Sequence, residues 1–100
     1  MGKKDRLPPI HPGEILREEF LAPFGMSAGA LAKRLSVPRT RIERLVAETT
    51  AMTPDTALRL GKFFATSPEF WMNLQTAFDL TTQSQAMKEE IAAIEEMKAA

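Results

Sequence analysis

The sequence predicts an all-α protein of five compact helices followed by a sixth, C-terminal helix. No stretch of the chain alternates apolar and polar residues as a half-buried strand does, and apolar residues recur instead at helical spacing. At 53–55 and at 67–69 a hydroxyl residue, a proline and an acid follow one another, which is a strong start signal for a helix. The length of 100 residues suits one hydrophobic core rather than two.

The first ten residues predict a flexible arm. Three cations make this segment basic, and two adjacent prolines favour extended backbone. The chain therefore divides into three predicted parts: an N-terminal arm over 1–10, a compact helix-turn-helix domain over 11–80 and an amphipathic helix over 81–100.

The first helix is predicted to begin near His11. Pro12 suits the first helical position because its missing N–H costs nothing there, and Pro23 with Gly25 is expected to end the helix. His11 is the only histidine of the chain. Beside a proline at a helix start, we interpret it as a capping or packing residue rather than a ligand or a catalytic base.

Two short helices joined by a tight turn are predicted from Ser27 to Glu48. Their apolar residues recur at helical spacing: Leu31 and Leu35 in the first helix, then Ile42, Leu45 and Val46 in the second. Pro38 disfavours a helical Val37, so the first helix should stop by Leu35 or Ser36. This is the pattern of a helix-turn-helix.

The second of these helices leaves a polar, cationic surface uncovered, made of Arg39, Thr40, Arg41 and Arg44. Residues 33–44 contain five cations, Lys33 and Arg34 among them, and one acid, for a net charge of +4. In a helix-turn-helix this helix reaches base edges in the major groove, and arginine can bond guanine O6 and N7 together or grip phosphate. We therefore predict double-stranded DNA as a partner. A solvated basic face and a recognition surface for an acidic protein are the alternatives.

Two further helices are predicted after the helix-turn-helix, one from Thr53 to about Ala65 and one from Ser67 onward. The second has a broad apolar face, which includes Phe70, Trp71, Leu74 and Phe78. Its width suggests a homodimer interface at these four residues, with packing in the core as the equal alternative.

The C-terminal segment predicts an amphipathic helix. Four positions form its apolar stripe: Met87, Ile91, Ile94 and either Met97 or Lys98. The stripe is thin, so we expect the helix to be stable only when it packs on something. Residues 79–100 have a net charge of −3, which offsets the basic segment in a chain of zero net charge.

Composition argues against several other classes of protein. The absence of cysteine excludes disulfides and thiolate metal sites. There is no glycine-rich phosphate loop and no histidine–carboxylate set with ligand spacing, so we expect no enzyme activity, no cofactor and no metal. No apolar run of 18 residues and no secretory leader is present, so we expect a cytoplasmic protein without a membrane span.

Four segments of residues 8–80 resemble the HigA antitoxin family, also known as virulence-associated protein I, a branch of the Xre or lambda-repressor-like helix-turn-helix proteins. The segments are IHPGEILREEFLAPFGMS, ALAKRL, TPDTALRL and SPEFWMNLQTAFDL. The resemblance implies a lambda-repressor-like fold and a dimeric repressor that binds palindromic operator DNA in its own promoter. It also implies a second partner, an mRNA-cleaving RNase toxin encoded beside it, which the antitoxin neutralises.

The resemblance also implies roles for individual residues. Pro38 begins the recognition helix, where Arg39, Thr40 and Arg44 occupy base-facing positions and Arg41 contacts a base or a phosphate. Ser27 and Ala28 start the preceding helix, whose backbone N–H groups usually meet a phosphate. With these roles, Lys33 and Arg34 are expected to neutralise further phosphates.

The chain departs from the family pattern at two places. Ser36 stands at the turn, where glycine is common, and residues 47–50 (Ala-Glu-Thr-Thr) replace an Asn-Gly followed by basic residues. The lost glycine and cations, together with the negative Glu48, should weaken contact with the DNA backbone. Two alternatives therefore stay open: a toxin-masking protein with weak or lost DNA binding, and a stand-alone Xre-type regulator without a toxin.

Overall fold

The computed structural model describes residues 8–98, and this part of the chain forms six helices and no strand. Helix α1 has three consecutive segments, Pro12–Ile15, Leu16–Leu21 and Ala22–Phe24. The others are α2 (Ala28–Leu35), α3 (Arg39–Val46), α4 (Pro54–Phe64), α5 (Pro68–Ala86) and α6 (Lys88–Ala92). The predicted all-α fold is confirmed, and α2 and α3 form the helix-turn-helix.

Four helices begin with a side chain that accepts a backbone N–H bond: His11 before α1, Ser27 before α2, Thr53 before α4 and Ser67 before α5. These caps satisfy N–H groups that have no partner inside the helix. His11 is thus a capping residue, as predicted: its Nδ1 accepts from the Gly13 N–H at 2.8 Å, and its ring packs against Phe78. Helix α3 differs, because its cap position is Pro38 and no side chain accepts from its first N–H groups.

The middle of α1 is a π-helix, over Leu16–Leu21. Its i→i+5 bonding brings residues five apart to the same side of the helix, so both Leu16 and Leu21 are buried. The helix then ends at Gly25, which has a φ of 61° and open space around its Cα hydrogen. A 3.0 Å bond from the Met26 N–H to the Leu21 carbonyl closes this end.

Helix α1 crosses α3 at Gly13. A Cβ at this position would lie 1.8 Å from the Leu45 carbonyl oxygen, so only glycine lets the two backbones approach this closely. The crossing sets the position of the recognition helix on the rest of the domain.

The core lies between the helices and is formed by apolar residues that are almost fully buried: Leu16, Leu31, Ile42, Leu45, Leu60 and Trp71. The Trp71 ring lies 4.9 Å from the rings of Phe20 and Phe70, and its Nε1 donates to Thr66 Oγ1 at 2.8 Å. The suggested dimer interface is therefore wrong for Trp71, because helices of the same chain cover this side chain completely. Leu74 and Phe78 are half-buried, and Phe70 is 37% exposed.

The predicted division at residue 80 needs correction. Helix α5 runs through this point to Ala86, since residues 80–86 contain no glycine or proline that would end it. Instead of one helix over 81–100, the segment holds the end of α5 and the five-residue α6. Met87, Ile91 and Ile94 are 39–68% exposed, so the described residues do not cover the apolar stripe. Residues 1–7 of the predicted arm lie outside the described range.

Candidate nucleic-acid interface

Helix α3 presents its polar side chains to solvent. Ile42 and Leu45 are buried against the core, which anchors one side of the helix and fixes its rotation. All four residues predicted for the opposite surface are exposed: Arg39, Thr40, Arg41 and Arg44. We call this surface the recognition face.

Arg39 joins the recognition face to the start of α2. Its guanidinium pairs with Glu43 one turn along α3, at 3.2 Å, and its aliphatic stem lies over Gly29. A Cβ at position 29 would lie 2.8 Å from Arg39 Cδ, so the glycine makes room for the stem. The structure therefore places Arg39 against Gly29 in the first turn of α2, the helix whose start at Ser27 and Ala28 the sequence predicted to meet a phosphate.

Arg41 is held from the side by α4. Its Nη1 donates to Asp55 Oδ1 at 2.7 Å, and the same oxygen accepts from Arg59 Nε at 2.8 Å. Arg59 is itself fixed, because its Nη1 donates to the Leu35 carbonyl at the end of α2, also at 2.8 Å. A network of two arginines and one carboxylate thus links all three helices around the recognition face.

Arg44 is the cation of the recognition face without an acidic partner. Within residues 8–98 no carboxylate lies within 4.0 Å of its guanidinium. Together with Pro38, Thr40 and Thr50 it lines an open groove between α3 and the start of α4. Its charge is available to an anionic ligand without breaking an internal bond.

The two cations of α2 lie in different places. Arg34 stacks its guanidinium on the Phe63 ring, 5.1 Å from the centroid. Phe63 lies eight residues after Asp55 in α4, which is about 12 Å along the helix. The structure therefore places Arg34 apart from the recognition face, which argues against the phosphate contact predicted for it. Lys33 is exposed one turn after Gly29, on the side where Arg39 lies.

Arg17 was missed in the sequence because its contacts come from the far end of the helix-turn-helix. From α1 it donates to the Val46 carbonyl at the end of α3 and to Glu48 Oε2 at 3.1 Å. The arginine therefore bonds to the end of the recognition helix and pairs with the acid that stands where the family pattern has glycine. This pairing reduces the repulsion between Glu48 and a DNA backbone that the sequence predicted.

Ser36 and Glu48 both adopt the left-handed backbone that glycine tolerates best, with φ of 60° and 66°. Each follows a helix whose end is closed by a bond five residues back, from Val37 to Ala32 and from Thr49 to Arg44, at 3.0 Å. Both positions at which the sequence departs from the family pattern thus adopt left-handed backbone with a residue other than glycine.

The left-handed backbone at Glu48 predicts a stability difference between two variants. Glu48→Gly and Glu48→Ala both remove the pair with Arg17, but only glycine relieves the backbone. We expect the glycine variant to be more stable than the alanine variant by about 1 kcal/mol, which corresponds to roughly 4–8 °C in Tm. Thermal unfolding of the two proteins by circular dichroism tests this. Equal melting temperatures would contradict the left-handed geometry.

The bonds from Arg59 and then Arg41 lower the pKa of Asp55 below its ordinary value of 3.8. Because the pKa is lower in the folded state, the carboxylate stabilises the fold above pH 3.8, and this contribution is lost as the pH falls through the lowered pKa. We expect Asp55→Asn to remove this pH-dependent contribution to stability. Urea unfolding between pH 7 and pH 2 should show wild type losing stability relative to the variant only in the acid range. If the free energies of unfolding of wild type and variant changed in parallel with pH, the network of Arg41, Asp55 and Arg59 would be contradicted.

Two further features are absent from the described part of the chain. Among residues 8–98 no three His, Cys, Asp or Glu side chains are grouped so that they could hold a metal ion. Within the same range, no helix is long and apolar enough to cross a membrane.

Comparison with known proteins gives close relatives, although no family model matches the chain. The chain is 52% identical over 82 residues to virulence-associated protein I of Dichelobacter nodosus, covering 82% of this chain and 76% of the relative. It is 34% identical over 88 residues to antitoxin HigA-1 of Vibrio cholerae, covering 88% and 83%.

Solved structures agree with these relatives. Pseudomonas aeruginosa antitoxin HigA with the higBA promoter has a TM-score of 0.87 and 45% identity, covering 90% of this chain and 99% of that one. Antitoxin GraA in complex with its operator has a TM-score of 0.86 and 47% identity, covering 93% and 95%. The Vibrio cholerae relative and both solved structures are named as antitoxins. The chain belongs to the HigA antitoxin family of helix-turn-helix proteins.

Proposed function

We propose that this protein is an antitoxin that binds operator DNA as a dimer, represses its own operon and neutralises an RNase toxin encoded beside it. The observation that carries the DNA-binding part is the recognition face, on which Arg44 has no acidic partner within residues 8–98. The relatives solved with promoter or operator DNA support the same function.

In this mechanism α3 enters the major groove with its first turns toward the bases. Arg39 and Arg44 discriminate bases, each worth on the order of 1–3 kcal/mol, and Lys33 contacts a phosphate, while Arg41 lies beside the groove in its bond to Asp55. Helix α2 starts at Ser27 and Ala28, just before the Gly29 that the Arg39 side chain covers, and its backbone N–H groups can meet a phosphate there. Buried Ile42 and Leu45 keep the helix from rotating away from this pose.

Two protomers would present their recognition faces to successive major grooves, at half-sites about 34 Å apart or a multiple of that. Phe70 is the residue of the predicted dimer interface that keeps the most exposed apolar surface. Molar mass from light scattering after gel filtration tests the dimer. A monomer at the concentrations that saturate DNA would contradict it.

The toxin is the second proposed partner, and such a module works in the cytoplasm, where its DNA lies. The exposed apolar side chains of Met87, Ile91 and Ile94 support binding to another protein, because no described residue covers them. The product of the neighbouring reading frame is the natural ligand to test by co-purification. A neighbouring frame that encodes no small RNase would instead favour a stand-alone regulator.

A toxin-masking protein with weak DNA binding is the second candidate function. Three acids close to the α3 region, Glu43, Glu48 and Asp55, favour it, because each pairs with a cation that could otherwise contact phosphate.

A gel shift separates the two functions. The probe is a duplex from immediately upstream of the gene, tested with and without the neighbouring gene product. Binding by the antitoxin alone, in preference to a shuffled duplex, supports the repressor. No shift under either condition, combined with a stable complex between the two proteins, would support the masking protein.

A further inference from the structure

We propose that Asp55 is a specificity-determining residue, because its carboxylate withholds Arg41 from phosphates of non-cognate DNA. The inference rests on the proposed DNA binding and names a residue outside the predicted site, in the first turn of α4. It assigns to the network of Arg41, Asp55 and Arg59 a role beyond holding three helices together.

Asp55 binds the Arg41 side chain directly. The 2.7 Å bond joins the Arg41 guanidinium to the carboxylate oxygen that also accepts from Arg59. Arg59 cannot easily follow Arg41 outward, because its other end is bonded to the Leu35 carbonyl. The carboxylate therefore has a fixed position at the edge of the groove that Arg41, Arg44 and Thr40 line.

The ion pair between Arg41 and Asp55 is weak enough for a DNA phosphate to compete with the carboxylate. The side chains of Arg41 and Asp55 are 41% and 55% exposed, so the pair resembles other surface ion pairs, which contribute about 0.2–1 kcal/mol in mutant cycles. A DNA phosphate can displace Asp55 at that cost, and it also meets the repulsion of the carboxylate. Non-cognate DNA is bound through phosphates alone, so its affinity is reduced by both the displacement of Asp55 and the repulsion.

Operator DNA is affected differently. There, base contacts from Arg39 and Arg44 supply affinity that does not depend on Arg41. The Arg41–Asp55 bond is kept and holds the first turn of α3 against α4, in the register that those contacts need. Asp55 thus lowers affinity for random sequence more than affinity for the operator.

The test compares Asp55→Asn with wild type on two duplexes, one from immediately upstream of the gene and one of shuffled sequence. We expect the variant to bind the shuffled duplex about 5-fold more tightly per subunit, the upper end for an exposed pair. Upstream affinity should be unchanged or lower. The salt dependence on shuffled DNA should steepen by about one phosphate per subunit.

Glu69→Gln is the matched control. Glu69 follows a hydroxyl residue and a proline at the start of α5, as Asp55 does at the start of α4, so the two variants change charge and helix start alike. We expect Glu69→Gln to leave the preference between the duplexes unchanged. Adding Arg41→Gln should abolish the gain of Asp55→Asn on shuffled DNA, which a merely structural role of Asp55 would not produce.

The outcomes are distinct. If wild type does not prefer the upstream duplex, the proposed function itself is contradicted. If wild type prefers it and Asp55→Asn raises affinity for both duplexes equally, or Glu69→Gln has the same effect, only the role of Asp55 is overturned. If Asp55→Asn has a much lower Tm than wild type, the comparison is repeated with Asp55→Ser. Serine is also favourable in the first turn of a helix, and the same results are expected.

Discussion

Gly13→Ala is expected to lower the free energy of unfolding by about 3 kcal/mol, the upper part of the range for overpacking. The added Cβ would lie 1.8 Å from the oxygen and 2.9 Å from the carbon of the Leu45 carbonyl, and neither backbone can rotate away as a side chain would. Helices α1 and α3 must separate, which also weakens the bond from Arg17 to Val46. Thermal unfolding should show a fall in Tm of more than about 10 °C.

Gly29→Ala is the control for this substitution. Its Cβ would meet the flexible Arg39 side chain rather than backbone, and alanine favours a helix over glycine by about 1 kcal/mol. We expect its stability to stay within about 1 kcal/mol of wild type. If Gly13→Ala and Gly29→Ala unfold at the same temperature, the close crossing of α1 and α3 is contradicted.

Arg44→Ala is expected to weaken binding to the upstream duplex by at least about 30-fold. One base contact is worth on the order of 1–3 kcal/mol, and a dimer uses two copies, so the loss is about 2–6 kcal/mol. The guanidinium is exposed and has no acidic partner within residues 8–98, so stability should change by no more than about 0.5 kcal/mol. Fluorescence anisotropy at fixed salt measures the affinity.

Arg34→Ala is the matched control, because it removes the same charge from the same basic segment. Its guanidinium stacks on Phe63, at the other end of α4 from Asp55, so we expect little change in affinity. If the two variants lose affinity equally, the net charge of the protein rather than the recognition face governs binding.

The residues at which α4 and α5 begin could be predicted from the sequence. Caps, prolines and first-turn acids act within four residues, so the signals at 53–55 and 67–69 are local and the structure follows them. The π-helical middle of α1 was not accessible. It depends on burying Leu16 and Leu21 together against the other helices, and local preference does not encode that packing.

The candidate site divides in the same way. The exposure of Arg39, Arg41 and Arg44 follows from the spacing of Ile42 and Leu45 in one helix. The bonds from Arg17 to Val46 and from Arg41 to Asp55 join residues 29 and 14 positions apart, and only the fold brings them together. Similarly, a broad apolar face on α5 does not tell which side chains the same chain covers, and Trp71 is covered.

Protection of guanine N7 from methylation tests most directly whether α3 enters the major groove, because N7 faces that groove alone. With the upstream duplex saturated by protein, we expect protected guanines in two tracts whose centres lie about 10 base pairs, or a multiple, apart. Arg44→Ala should restore methylation within both tracts. Saturated binding that leaves every N7 as reactive as in free DNA would contradict the placement of the recognition helix.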